Sequence, residues 1–212
     1  MDAITMLRDD HKAVKRLFRA FERLDDDDTR GRRKLVDDMI RELSVHAYIE
    51  EKVFYPAVRA ADSDAEDMVL EALEEHHIVK WTLSELDGMD PSEERFDPKV
   101  KVLMESVRHH VKEEQEEMFP KVSKKLDRKQ LEMLGKALAT AKKVVPTKPH
   151  PKAPDAPPGN LVAGAGAALL DRAKKAVGVA VAKGKKRLAK TRLNGTGATR
   201  AKKTSESRAA AH

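Results

Sequence analysis

A set of metal-ligand residue types occurs twice in this chain, at matching positions of two half-repeats. Each copy is a histidine followed, further along the chain, by a histidine and a glutamate four residues apart, and the second copy lies 64 to 65 residues after the first. The six side chains are His11, His46, Glu50, His76, His110 and Glu114. Residues at i and i+4 share one face of a helix, so each H-x3-E pair directs an imidazole and a carboxylate to one point. The repeat therefore predicts four helices around a common axis, with all six side chains at its centre.

Four imidazoles and two carboxylates at one centre predict a pair of metal ions. Each carboxylate can span two ions while the imidazoles cap them. Burying the same groups without partners would cost several kcal/mol each. Two non-haem iron ions are favoured over zinc, because structural zinc prefers a closed tetrahedral site, often with thiolates. Shared carboxylates are typical of di-iron or di-manganese centres, so zinc is a less favoured alternative. The preference for iron over manganese rests mainly on the family resemblance described next.

A pair of an aromatic residue and a proline follows each copy, as Tyr55-Pro56 and Phe119-Pro120. Together with the repeated ligand set, these pairs resemble the hemerythrin-like HHE cation-binding domains, and the resemblance covers roughly residues 1–140. The family resemblance implies an all-α, up-and-down four-helix bundle that holds a non-haem di-iron centre. It also implies the ligand roles: His11 and His46 on one iron, His76 and His110 on the other, and bridges from Glu50 and Glu114.

The chain departs from the oxygen-carrying hemerythrins at two positions. Those proteins have a second histidine four residues after the third-helix ligand, where this chain has Lys80, and H-x4-D where it has His110-x3-Glu114. The centre would be more symmetric and one nitrogen ligand poorer, so both irons could keep exchangeable positions for peroxide or nitric oxide. Alternatively, a nearby oxygen donor completes the coordination. The local donors are Tyr48, Glu51 and Tyr55, and the competing interpretation makes the tyrosines packing or hydrogen-bonding neighbours and Glu51 a solvated charge.

Apolar residues at helical spacing surround the proposed ligands, as in the series His11, Val14, Phe18 and Phe21. The pattern predicts helices at about 2–24, 30–59, 65–87 and 98–121, with a shorter one near 127–143. Pro56 and Pro120 each remove a backbone donor near the end of a ligand helix, so we expect a kink or termination there. The large apolar residues expected to fill the core are Phe18, Phe54, Trp81, Met104 and Phe119.

Two further histidines lie beside the proposed ligands, about 100° around the helix from them. They are His77 and His109, and we expect them at the surface or hydrogen-bonded to a ligand. The register could nevertheless slip to His77, or to His109 with Glu113. His150 and His212 fall in segments without a core and are expected to be solvated.

Charge divides the chain into two parts. The whole chain carries +6, but residues 142–212 hold 17 Lys plus Arg against three acidic residues, which leaves −8 for residues 1–141. We predict a bundle domain over 1–143, a Pro-rich linker over 144–159, and a basic tail over 160–212 that is partly helical or disordered. Three roles are open for the tail: a solvated extension, nonspecific nucleic-acid binding, or docking on an anionic membrane through 161–193.

The remaining composition limits the function classes. The chain has no cysteine, which excludes disulfides and thiolate ligands, and it has neither a signal-peptide pattern nor a long apolar run, so we expect a cytoplasmic protein. No phosphate-binding or serine-nucleophile motif is present. The interpretation is a di-iron protein that binds or turns over a small oxidant, hydrogen peroxide first and nitric oxide or O2 next, with catalase-like turnover as the enzymatic form. The alternative is a module that senses or stores iron or O2 without turnover.

Overall fold

The computed structural model describes residues 1–145, and every regular element in that range is helical. The α-helices are α1 (Ala3–Phe21), α2 (Thr29–Ile49), α3 (Tyr55–Ala61), α4 (Glu66–Leu86), α5 (Phe96–Glu113), α6 (Phe119–Lys125) and α7 (Arg128–Ala141). A 3-10 turn, Ser63–Ala65, precedes α4. The tail predicted for 160–212, and the predicted linker beyond Val145, lie outside the described residues.

Acidic residues begin three of these helices. Asp2 accepts the backbone N–H of Thr5 at 2.9 Å before α1, and Asp28 accepts that of Gly31 at 2.9 Å before α2. Asp127 starts α7 with a reciprocal capping box. Such caps satisfy backbone donors that the first helical turn leaves unpaired. The acidic run that interrupts the sequence after α1 therefore also supplies the start of α2.

Two π-helical segments interrupt the ligand helices at the proposed bridging glutamates. They are Glu50–Phe54 and Glu114–Met118, called the first and second π segments below. Each ends with a backbone hydrogen bond between residues five apart, from Tyr55 N–H to Glu50 O and from Phe119 N–H to Glu114 O. The sequence predicted a kink or a termination at the prolines, and neither helix terminates there. Each proline falls in the first turn of a new α-helix, where its missing donor is tolerated, and the helices continue to Ala61 and Lys125.

The helices form the up-and-down bundle that the sequence predicts, with α7 as the short extra helix. α1 packs chiefly against α2 and α4 against α5, while α7 lies against α1 and the first π segment. The predicted boundaries were off by a few residues. The first helix ends three residues early, at Phe21, and α5 starts at Phe96 because Pro98 is accommodated in its first turn.

The six ligand-type side chains form a polar layer between two hydrophobic clusters. Along α1 the order is Leu7 in the first cluster, then His11, then Val14 in the second cluster. The same alternation recurs on α4, where His76 separates Ala72 from Val79. Each of these helices thus holds its candidate ligand between apolar residues, which fixes the depth of the layer in the bundle.

Four of the five large residues predicted for the core are buried there, and Trp81 is the exception. Its side chain is 51% exposed. Trp81 lies five residues after His76, about 140° around the helix axis from the inward face. The prediction was based on the size and hydrophobicity of tryptophan and did not take account of its position on α4.

Candidate metal centre

The polar layer brings the six predicted ligands together. All six are at most 5% exposed. They come from α1, α2, the first π segment, α4, α5 and the second π segment. Their histidine Nε2 atoms and carboxylate oxygens face one another at distances between 2.9 and 3.6 Å.

The histidines form two pairs. His11 Nε2 lies 2.9 Å from His46 Nε2, and His76 Nε2 lies 3.1 Å from His110 Nε2. Two imidazole nitrogens at this distance can share at most one proton. Each pair therefore holds at least one nitrogen lone pair directed at the other ring, an arrangement suited to a shared electrophile.

The glutamates connect the two histidine pairs. Glu50 Oε2 lies 3.1 Å from His46 Nε2 and 3.5 Å from His76 Nε2. Glu114 Oε2 lies 3.2 Å from His11 Nε2 and 3.6 Å from His110 Nε2. Each carboxylate therefore touches one histidine of each pair.

Polar groups outside the layer face the opposite nitrogen, Nδ1, of each ring, at hydrogen-bond distance for three of the four rings. His76 Nδ1 lies 3.2 Å from Glu51 Oε1, and His110 Nδ1 lies 2.8 Å from Glu75 Oε2. In the other half, Gln115 lies 2.9 Å from His11 Nδ1, while Asp10 Oδ2 faces His46 Nδ1 at the longer distance of 3.6 Å. A carboxylate at Nδ1 accepts the ring N–H, so Glu51 and Glu75 leave Nε2 of His76 and His110 free to ligate.

These outer partners follow the internal repeat, and sequence reasoning missed three of them. Asp10 and Glu75 each precede the first histidine of their half, and Glu51 and Gln115 each follow the glutamate. Asp10, Glu75 and Gln115 received no role in the sequence analysis. The signal was present, since polar residues flank a ligand at matching positions of both halves.

The three additional oxygen donors have different places. Tyr55 is buried, and its hydroxyl donates to Glu114 Oε1 at 3.1 Å and lies 3.3 Å from His76 Nε2. Glu51 is also buried, so the interpretation as a solvated charge was wrong. Tyr48 is half-buried against the first hydrophobic cluster, and among the described residues no hydrogen bond joins its hydroxyl to the polar layer.

Burial and mutual charge set the protonation of the layer. Burial lowers the pKa of His46 to about 4, against the opposing effect of Asp10. Burial, then the charge of Glu114, raises the pKa of Glu50 well above its usual value. Burial alone would raise the pKa of Glu114, but His110 and His11 outweigh it and hold that pKa below its usual value. Two carboxylates this close disfavour a second charge unless a cation compensates it.

The donor set fits a pair of metal ions. Two donors each about 2.1 Å from one ion are about 3.4 Å apart at a tetrahedral angle, close to the distances across the layer. Both oxygens of Glu50 and Oε2 of Glu114 are buried without a hydrogen-bond partner. The donors fall into two groups that overlap at Glu50: His11, His46, Glu50 and Glu114 in one, and Glu50, His76 and His110 in the other. Metal ions would compensate both the carboxylate charges and the unpaired oxygens.

A small apolar cavity lies against the polar layer on the side of the second hydrophobic cluster. Its volume is about 20 Å³, and all four layer histidines line it together with valine and leucine side chains. This volume holds a single water-sized molecule. Organic ligands need pockets of several hundred Å³, so the cavity admits only very small molecules.

The alternative registers place their residues elsewhere. His77 is exposed on α4. His109 is 63% exposed, and it lies with Glu113 and Glu75 in a separate group outside the polar layer. The inward H-x3-E on α5 is thus His110 with Glu114. Across residues 1–145, no helix combines the length and the apolar character that crossing a membrane requires.

Known proteins are similar to this chain in sequence and in fold. The family model described as hemerythrin HHE cation binding domain matches residues 2–122. A hemerythrin-like protein of Schizosaccharomyces pombe is 30% identical over 164 residues, which cover 77% of this chain and 80% of that protein. A DNA nickase of Nostoc is 26% identical over 142 residues, covering 67% of this chain but 39% of the nickase. The crystal structure of a hemerythrin HHE cation binding domain-containing protein from Mycobacterium kansasii superposes with a TM-score of 0.58 at 26% identity, covering 68% of this chain and 86% of that one.

Proposed function

Because the chain belongs to the hemerythrin HHE cation-binding domain family, we propose that its polar layer holds two non-haem irons and that it binds or turns over a small oxidant. Hydrogen peroxide is the first substrate we propose, and nitric oxide or O2 the next. The cavity of about 20 Å³ against the four histidines carries this proposal. It lies beside the proposed ligands, and its size restricts access to very small molecules.

The ligand set supports iron rather than zinc. Glu50 and Glu114 each touch a histidine of both pairs, which suits carboxylates that bridge two ions. Among the described residues no thiolate is available, and structural zinc often uses one. When bound, the irons would supply the redox and Lewis-acid chemistry.

The protein side chains would orient the ligands, exclude water and hold a proton. Glu51 and Glu75 keep the Nε2 atoms of His76 and His110 available by engaging Nδ1. Tyr55 holds its proton on the phenolic oxygen, because burial, then the charges of Glu114 and Glu50, raise its pKa well above the usual value. The phenolic oxygen lies 3.1 Å from Glu114 Oε1, so its proton can stabilise the carboxylate or be shared with a reduced oxidant.

Turnover separates the enzyme from a sensor or storage protein. The test is iron-loaded, full-length protein with hydrogen peroxide, followed with an oxygen electrode. Sustained oxygen evolution over many equivalents supports catalase-like turnover and a role under oxidative stress. Stoichiometric binding of O2 or nitric oxide without turnover supports the sensing or storage alternative. A chain that takes up no iron contradicts both.

Nucleic-acid binding is a second activity, which we assign to residues 160–212. The observation that favours it is the net charge of +14 over residues 142–212, because clustered cations neutralise phosphates and release counterions. The similarity to a DNA nickase agrees with this direction, although that similarity covers 39% of the nickase. We expect binding without sequence preference, since no base-reading motif is present in the sequence.

A further inference from the structure

Two H-x3-E pairs overlap on α5 and the second π segment, in the sequence His109-His110-Val111-Lys112-Glu113-Glu114. The inner pair, His110 and Glu114, belongs to the polar layer. The outer pair faces solvent, with His109 Nε2 3.2 Å from Glu113 Oε1. The chain therefore presents a second imidazole and carboxylate pair directly outside the first.

Glu75 on α4 connects the outer pair to the polar layer. Its Oε2 is 2.8 Å from His110 Nδ1, and its Oε1 is 3.6 Å from His109 Nε2. The donors of Glu75, His109 and Glu113 all lie within 4.8 Å of one another. Separations of 3.2 and 3.6 Å bracket the roughly 3.4 Å expected between two donors of one tetrahedral ion. One imidazole with two carboxylates suits a divalent first-row metal.

An acidic cleft runs inward beside this group. It has a volume of about 270 Å³, and six carboxylate side chains line its outer part: Asp64, Asp67, Glu71, Glu75, Glu113 and Glu117. His110 and Glu114 line its inner part. Glu114 is 1% exposed, and its Oε2 accepts no hydrogen bond. Lys121 also lines the cleft, against these six carboxylates. The cleft thus joins a predominantly anionic surface to the buried Glu114, and an excess of one charge sign concentrates ions of the opposite sign.

The other half of the repeat has no such approach among residues 1–145. The positions equivalent to His109 and Glu113 are Val45 and Ile49, and Ile49 is buried in the first hydrophobic cluster. Asp10, the equivalent of Glu75, is paired with Lys142, which follows α7. The polar layer is therefore closed by α7 and its following turn on one side and reached by an acidic cleft on the other.

We propose that Glu75, His109 and Glu113 bind a divalent cation at the mouth of the acidic cleft, and that this cleft is the route by which metal enters the polar layer. The site is separate from the two proposed iron positions and shares only the hydrogen bond of Glu75 with His110. The route rests on the proposed metal-binding function, whereas the surface site can be measured independently of it.

Cobalt(II) provides the probe, because its visible absorption reports ligation. Metal-free, full-length protein is mixed with cobalt(II) in a stopped-flow instrument, as wild type and as His109→Ala/Glu113→Gln. We expect the double variant to load the polar layer about tenfold more slowly, and to reach the same final occupancy of the polar layer and the same melting temperature. Added salt should slow the wild type more than the variant, because the steering charges are screened. Glu116→Gln, an exposed carboxylate outside the cleft, is the matched control and should load at the wild-type rate.

Equilibrium titration tests the surface site itself. Beyond the tight equivalents, the wild type should bind one weaker cobalt(II) that the double variant lacks. A double variant that loads at the wild-type rate overturns the route, and one that retains the weaker equivalent overturns the site. If the wild type takes no cobalt(II) into the polar layer, the proposed function fails instead, and the weaker equivalent alone then decides the surface site.

Discussion

Lys80 Nζ lies 2.8 Å from Glu51 Oε1 in the protein interior, with both side chains at most 10% exposed. The same carboxylate oxygen is 3.2 Å from His76 Nδ1. Lys80 occupies the position at which the oxygen-carrying hemerythrins have their second third-helix histidine. In this chain the position instead supplies a positive charge to the carboxylate that orients a proposed ligand. Burial alone would raise the pKa of Glu51, but His76 and Lys80 outweigh it and lower that pKa.

Removing this ammonium should destabilise the fold. Lys80→Met leaves the Glu51 carboxylate buried beside a neutral ring, and breaking a buried ion pair from one side costs about 3–5 kcal/mol. The measurement is the free energy of unfolding from urea titration of the full chain. Lys80→Met/Glu51→Gln removes both charges and should recover most of the loss. Equal stability of Lys80→Met and wild type would show that the pair contributes nothing.

The glutamates proposed as bridges should control both proposed metal positions together. Glu50 and Glu114 each touch both histidine pairs, so we expect Glu50→Ala or Glu114→Ala to lower the occupancy of both positions rather than one. Iron per chain and the optical spectrum are the measurements, with Glu116→Ala as the control on an exposed carboxylate. Two irons with an unchanged spectrum in Glu114→Ala would contradict the bridging role.

The sequence predicted the six layer residues because their chemistry repeats at a fixed helical spacing. It could not predict that Glu50 and Glu51 are both buried. Successive residues of an α-helix point about 100° apart. In a regular helix that buries Glu50, the side chain of Glu51 would therefore point away from the bundle core. The first π segment places more residues in each turn, which reduces this angle and admits both carboxylates. The prolines indicated an irregularity in these helices, but a proline in the sequence does not distinguish a π segment from a kink.

Filling the small cavity should weaken the binding of the oxidant without changing the metal content. Val107 lines the cavity of about 20 Å³, and Val107→Leu adds a methylene at that point. Overpacking costs typically about 1–3 kcal/mol, so nitric oxide should bind the iron-loaded variant about tenfold more weakly or worse. Val102→Leu changes an exposed valine of the same helix and serves as the control. Unchanged nitric oxide affinity in Val107→Leu, at equal iron content, would place the ligand elsewhere.

Metal affinity should rise with pH through the neutral range. The pKa of Glu50 is raised by burial and by Glu114, and that of His110 is raised because Glu114 and Glu75 outweigh its burial. Both groups therefore retain protons to a higher pH than usual, and a metal must displace those protons. Burial lowers the pKa of His46 and His76, so these rings are already neutral and release none.

Calorimetry in buffers of different ionisation enthalpy measures the protons released on metal binding. We expect a positive release near neutral pH, and an affinity that falls as acid protonates Glu50 and His110 and levels off above their raised pKa values. Glu75→Gln removes one charge that raises the pKa of His110, so this variant should release fewer protons. Affinity independent of pH between about 6 and 8 would contradict the linkage.

Truncation after Val145 should leave the metal centre intact and remove nucleic-acid binding. The truncated protein must retain residues up to Val145, because Lys142 pairs with Asp10 and Val145 packs against the first hydrophobic cluster. Iron content and spectrum should then match the full chain, while retention on DNA is lost. The intact protein should lose affinity by about 10³-fold or more between 50 and 200 mM salt, if it makes six or more phosphate contacts.

A charge-neutralised tail separates electrostatic binding from a need for the segment as such. Between residues 183 and 192 the chain has six lysines and arginines, and their replacement by glutamine keeps the length while removing the cations. If phosphates are the target, this variant should bind DNA more weakly and with a shallower salt dependence, because fewer counterions are released. Retention that persists with the glutamine tail, or that ignores salt, would contradict phosphate recognition. Loss of iron on truncation would show instead that the tail and the bundle are one structural unit.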